Sequence, residues 1–116
     1  MKRDFRLTGS TDFKRVRNAG KSYAHPLVVL IVLPSTPGDL RVGVTAGRSV
    51  GGAVQRNRAK RLLREAMRTL VPAVRTGWDL ILIARQPMLK ASYQQVHAAL
   101  SKLAQRADLL DPSNAL

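Results

Sequence analysis

The sequence predicts an α+β fold in a single domain, on three observations. Segments with helical apolar spacing alternate with short β-branched ones, in the order helix, hairpin, helix, strand, helix. A helix lies between the second and third strands, which calls for a crossover and at least one parallel pairing. The length, 116 residues, allows one core and no second domain. The expected architecture is a mixed sheet of about three to four strands with three helices packed on it.

Residues 1–9 read as an extended basic arm. No apolar stretch follows the first cations, so a signal peptide is not expected. Ser10 or Thr11 is placed to cap a short helix over 11–18, with Asp12 near its positive end. Phe13 and Val16 share one face of that helix, and Ala19-Gly20 ends it. The run Leu27–Leu33 is short, β-branched and bounded by Pro26 and Pro34, the marks of a buried strand. After a turn at Thr36–Asp39, Arg41–Ala46 alternates and reads as the second strand of a hairpin. A glycine-rich loop, 47–52, leads into a helix from about Val54 to Val71 that Pro72 stops. Trp78–Ala84 is the third clear strand, with Trp78 a core residue at its start. Ser92 caps a last helix to about Ala107, with Val96, Ala99, Leu100 and Leu103 as its core stripe. The tail 108–116 is expected to fray. The whole chain, 1–116, is one domain in this reading, with no repeat and no linker.

Charge narrows the function. Twenty Lys and Arg against seven Asp and Glu give a net charge of +13, where solubility needs only about 2–8. Such an excess calls for a polyanion: nucleic acid first, an acidic membrane surface as the alternative. The absence of cysteine excludes disulfides and thiolate metal sites. The longest apolar run, Leu27–Leu33, is far short of the roughly 20 residues that span a bilayer. A soluble cytoplasmic protein with no membrane partner is expected.

The basic residues concentrate on one helix. The segment from Gln55 to Arg68 carries six cations and one acid. At about 100° per residue, Ala59, Leu62, Leu63, Ala66, Met67 and Leu70 fall on one arc. Arg58, Lys60, Arg61, Arg64 and Arg68 fill the opposite one, and Arg56 stands at the boundary. A merely solvated face would mix signs at i,i+4. Here Lys60, Arg64 and Arg68 repeat with the same sign, which works against the helix unless an anion is bound, and only Glu65 relieves it. Arginine suits phosphate and base stacking, and Asn57 can read a base edge or a ribose hydroxyl. Arg48 in the preceding loop adds to the positive field. Gly51-Gly52 would let backbone approach an anion at the helix start, although two glycines there also serve as a flexible entry. A DNA helix-turn-helix would need a second helix just ahead, where a strand and a loop stand instead. His25 and His97 have no nucleophile or acid arranged beside them. Asp4, Asp12, Asp39 and Asp79 are scattered singly, so a protein-encoded nuclease site is not expected.

The run Val54-Gln55-Arg56-Asn57-Arg58-Ala59-Lys60-Arg61-Leu62-Leu63-Arg64-Glu65, entered through Val50-Gly51-Gly52-Ala53, resembles the signature of the protein subunit of bacterial ribonuclease P. The resemblance extends to Asp12-Phe13-Lys14-Arg15-Val16, Gly20-Lys21-Ser22, Arg41–Thr45 and Trp78–Arg85, and covers roughly Arg6 to Leu103. It implies an α-β sandwich with a left-handed crossover into the arginine-rich helix. It also implies that the protein is an accessory to a catalytic RNA, which removes the 5′ leader of precursor tRNA with Mg2+ held mainly by the RNA. On this resemblance Arg56, Asn57, Arg58, Lys60, Arg61, Arg64 and Arg68 would face the catalytic RNA. Phe13, Arg17, Lys21 and Ile31 would line a cleft for the single-stranded leader; read from the residues alone, Phe13 could equally pack onto the sheet. Arg17 stands where the family usually has an aromatic, Ile31 where it often has tyrosine, and the loop's usual lysine pair reads Arg48-Ser49. The cleft would then have less π surface and more charge and aliphatic wall. A general RNA-binding or ribosome-associated protein is the alternative reading.

Overall fold

The computed structural model describes Leu7 and residues 9–111. The expected basic arm therefore lies outside the described residues except for Leu7 and Gly9, as does the tail beyond Asp111. In chain order the elements are α1 (Ser10–Ala19), β1 (Lys21–Ala24), β2 (Val28–Pro34), β3 (Leu40–Ala46), α2 (Ala53–Leu70), β4 (Trp78–Ala84) and α3 (Tyr93–Arg106). Single 3-10 turns stand at Arg48–Val50, Val71–Ala73 and Gln86–Lys90.

The four strands form one mixed sheet in the order β1-β2-β4-β3. β2 is antiparallel to both β1 and β4, and β3 runs parallel to β4. The expected hairpin between 27–33 and 41–46 does not form, because β4 is inserted between those strands. Its place is taken by β1–β2, with β1 a strand too short and polar to announce itself. The physical reason lies in the two apolar strands. Val28, Leu30 and Val32 of β2, and Leu80, Leu82 and Ala84 of β4, join one core cluster, while Ile31 and Ile81 join another on the opposite face. Strands apolar on both faces belong at the centre of a sheet covered on both sides. α2 and α3 cover one face and α1 the other.

The crossover from β3 through α2 to β4 is left-handed, and two hydrogen bonds establish this. Val42 turns its side chain toward α2, and its carbonyl accepts from the Leu7 N–H at 3.0 Å on the edge away from β4. Arg85, which by alternation faces the other way, donates its N–H to the Leu27 carbonyl at 3.0 Å on the β2 side. In a strand of L-residues running upward, a residue pointing at the viewer directs its N–H and C=O to the viewer's right. Seen from α2, β3 is therefore right of β4, and the chain moves left in crossing over. That departs from the usual hand.

Local signals mostly set the helix ends. Gly20 closes α1, donating its N–H to Val16 O at 2.8 Å. At the other end, Gly9 takes the N-cap position and no side chain caps the helix, in place of the expected Ser10 or Thr11. Ser92 caps α3 in a full capping box with Gln95, at 3.2 and 2.8 Å. Residues 108–111 do not fray as expected. Leu109 is buried, its carbonyl accepts from Arg75 N–H at 2.7 Å, and Asp111 N–H donates to Ala73 O at 2.8 Å. Trp78 is half-buried against the larger core, as its position at a strand start predicts. Among the described residues no helix is long and apolar enough to cross a membrane.

Candidate nucleic-acid interface

α2 buries Ala59, Leu63, Ala66, Met67 and Leu70 against the sheet and α3. That apolar stripe holds the helix in place against the repulsion of its own cations. Asn57, Arg58, Arg61 and Arg68 are exposed, whereas Arg56, Lys60 and Arg64 are half-buried along one margin. The cations thus divide over two flanks instead of filling one outward arc. On the α3 flank, Arg58 Nη1 donates to the Leu89 carbonyl at 3.0 Å. Arg58, Arg61, Leu62, Glu65 and Tyr93 line a groove of about 260 Å³ there. Glu65 is engaged twice, its carboxylate accepting from Arg68 at 3.0 Å and its carbonyl from Tyr93 Oη at 3.5 Å. Arg56 Nε is buried with no hydrogen-bond partner among the described residues. At the start of α2 the Gly52 N-cap brings no side-chain cap and the first turn holds no acid, so its N–H groups have no side-chain acceptor or counter-charge from their own helix. Arg48 is exposed in the turn just ahead.

On the other flank Arg64 borders a cleft of about 270 Å³ with Leu7, Gly9, Phe13, Val42, Gly43 and Val44. Phe13 both packs on the sheet and lines this cleft. Its ring lies over Gly43 so closely that a Cβ there would come within 2.5 Å of Phe13 Cζ. α1 is positioned by an ion cluster that sequence reasoning missed. Asp79 is the one fully buried charged side chain among the described residues. Arg41 Nε and Nη2 donate to its two oxygens at 3.0 and 2.8 Å, and Arg15 Nη2 donates to Oδ2. Asp12 lies 3.6 Å from both arginines. Burial pushes the Asp79 carboxyl up, but hydrogen bonds from Arg41, Arg15 and Ser35 outweigh this and hold it below the usual carboxylate range. The available signal was a lone Asp inside the apolar run Trp78–Ala84, which demands a buried partner.

The Ribonuclease P family model matches residues 1–108. The chain belongs to the Ribonuclease P family. It is 43% identical over 109 residues to the ribonuclease P protein component of Herpetosiphon aurantiacus, covering 94% of this chain and 89% of that one. The counterpart from Symbiobacterium thermophilum is also 43% identical, over 95% and 96% of the two chains. Among solved structures, the RNase P protein of Staphylococcus aureus aligns with TM-score 0.77 at 26% identity, over 92% of this chain and 98% of that one. That of Thermotoga maritima gives 0.79 at 27%, over 87% and 96%.

For a member of the Ribonuclease P family, the residues expected to line a leader cleft separate in an informative way. Phe13 lines the cleft and Arg17 is exposed one turn further along α1. Ile31 is only 5% exposed, packed with Val16 and Ile81 beneath α1, and offers no open wall. Lys21 pairs with Val32, whose side chain faces α2 and α3, so it stands on the opposite face of the sheet. There its ammonium lies 5.4 Å from the centre of the Tyr23 ring. Strand alternation decides both outcomes, since neighbouring residues on one strand point to opposite faces.

Proposed function

We propose that this chain is the protein component of a ribonuclease P holoenzyme, which removes the 5′ leader of precursor tRNA with its active site in the RNA partner. α2 docks the catalytic RNA through Asn57, Arg58, Arg61 and Arg68, with Arg48 and the open first turn of the helix at its entrance. The leader runs along the cleft between Phe13 and Arg64, with Arg17 at its margin. One observation carries this reading: Arg64, on the basic helix, borders the same cleft as Phe13. RNA bound on α2 and a strand held against Phe13 would therefore be neighbours. Magnesium ions are assigned to the RNA partner, because the acids near these surfaces are already engaged, Glu65 with Arg68 and Asp12 with Arg15 and Arg41. The protein's cations lower the metal requirement by screening phosphate repulsion between the two RNAs.

The test is cleavage of precursor tRNA by the cognate catalytic RNA at low magnesium, with and without the protein. The protein should restore cleavage that the RNA alone loses, and should cleave nothing by itself. An unchanged magnesium dependence overturns the proposal, and cleavage by RNA-free protein would place the active site in the chain.

A further inference from the structure

The face made by β1 and α3 carries a second basic surface that neither α2 nor the Phe13 cleft uses. Tyr23 is half-buried on β1 between two cations, with the Lys21 ammonium 5.4 Å and the Arg106 guanidinium 6.0 Å from its ring centre. Arg106 is held there by a hydrogen bond from Nη1 to the Ala24 carbonyl at 3.0 Å. Beside it a cavity of about 400 Å³ opens, with Leu27, Pro87 and Ala99 as its apolar lining and Lys90, Lys102 and Gln95 as its polar groups. His25 also lines it, and among the described residues no acid takes part. The His25 Nδ1 accepts from the Leu27 N–H at 3.1 Å, which leaves Nε2 as the donor of the neutral ring.

These parts match the needs of one ligand class. Cations gathered without a counter-charge attract an anion. A ring flanked by cations and an apolar recess of base-accepting size add stacking and desolvation, the combination used to hold single strands without reading their sequence. An acidic peptide would use the cations but not the ring and recess together. We propose that the β1–α3 face is a second contact for single-stranded RNA. A base enters the recess beside Leu27 and Pro87, and the flanking phosphates lie on Lys90, Lys102 and Arg106. Burial, Lys102 and Arg106 hold the His25 pKa below its ordinary value, and a phosphate arriving among these cations would reverse that shift.

The two histidines report on different surfaces, which makes the proposal testable by NMR on the full chain. His25 lies at this recess, whereas His97 lies 6.1 Å from Tyr93, beside α2. Titration with hexauridylate should raise the His25 pKa and move the Ala98 and Lys102 amides. Replacing Lys90→Ala and Lys102→Ala, whose side chains make no described protein contact that folding needs, should lower the salt slope of the affinity read at His25 by about 1.4 units. Tyr23→Leu should weaken the response further, while Arg61→Ala with Arg68→Ala should leave it in place. An unmoved His25 at saturating hexauridylate overturns the proposal. So does a response that inorganic phosphate reproduces at equal concentration, which would mark a free-anion site. Because magnesium-dependent cleavage is measured separately, failure here is distinguishable from failure of the holoenzyme assignment.

Discussion

Asp79 shows how one residue can tie a cleft-lining helix to the core. Its carboxylate accepts from Arg41 on β3 and from Arg15 on α1, so the helix carrying Phe13 is anchored to the sheet by charge as well as by Val16. The carboxyl titrates lower in the folded chain than its ordinary 3.8. Its contribution to stability is therefore full well above that value and is lost as pH falls through it toward the folded pKa. Urea unfolding should show stability dropping below about pH 4–5, and Asp79→Asn should flatten that limb. At neutral pH the same substitution should cost about 3 kcal/mol, the low end for breaking a buried pair, since both arginines keep contact with water. Gly43 makes the complementary case by sterics. Gly43→Ala would drive a methyl into Phe13 and should cost about 1–3 kcal/mol in a thermal melt, with the Phe13 ring resonances displaced. A similar melt with unshifted ring resonances would show that the ring is not seated there.

At the scale of elements, α2 and α3 are stabilised differently. α3 begins with a complete capping box, and Ser92→Ala should cost about 1 kcal/mol, read from the urea midpoint at constant m-value. α2 has no side-chain cap and no acid in its first turn. It relies on its apolar stripe, and the absence of a cap leaves its positive end open to phosphate. Arg61→Ala with Arg68→Ala removes two exposed cations at the expense of one surface ion pair, worth at most about 1 kcal/mol. The double variant should fold normally and reduce the salt slope of catalytic-RNA binding by up to about 2 units. An unchanged slope would mean that these side chains do not meet phosphate. Arg58 is a poorer probe, because its guanidinium also holds the Leu89 carbonyl.

Across the whole molecule, the left-handed β3–α2–β4 crossover leaves the outer edge of β3 between the basic helix on one face of the sheet and α1 on the other, so that Arg64 and Phe13 line one cleft there. A right-handed path would have carried β4 to the other side of β3, covering the edge at which Gly43, Phe13 and Arg64 now meet. The topology therefore accounts for the contiguity of the two expected RNA surfaces. It also leaves β1 and α3 at the far edge, where Lys21 joins Tyr23 and Arg106 instead of the cleft beside Phe13.

Much of this was legible in the sequence, because local physics decides it. The 3.6-residue spacing of Ala59, Leu63, Ala66 and Leu70 determined a helix with its cations off the buried stripe, though not their division over two flanks, and Ser92 and Gly20 marked helix ends by the chemistry of their own backbones. The β-branched runs determined β2, β3 and β4, and the charge determined a polyanionic partner. What the sequence left open depends on contacts between distant residues. Whether β2 pairs with β3 or with β4 rests on which strands are covered on both faces, and the turn at Thr36–Asp39 permits either. The face on which Lys21 stands follows from its register with Val32, and the partners of Asp79 come from two other elements. Pairing, facing and burial are properties of the assembled sheet, and only the tertiary structure decided them.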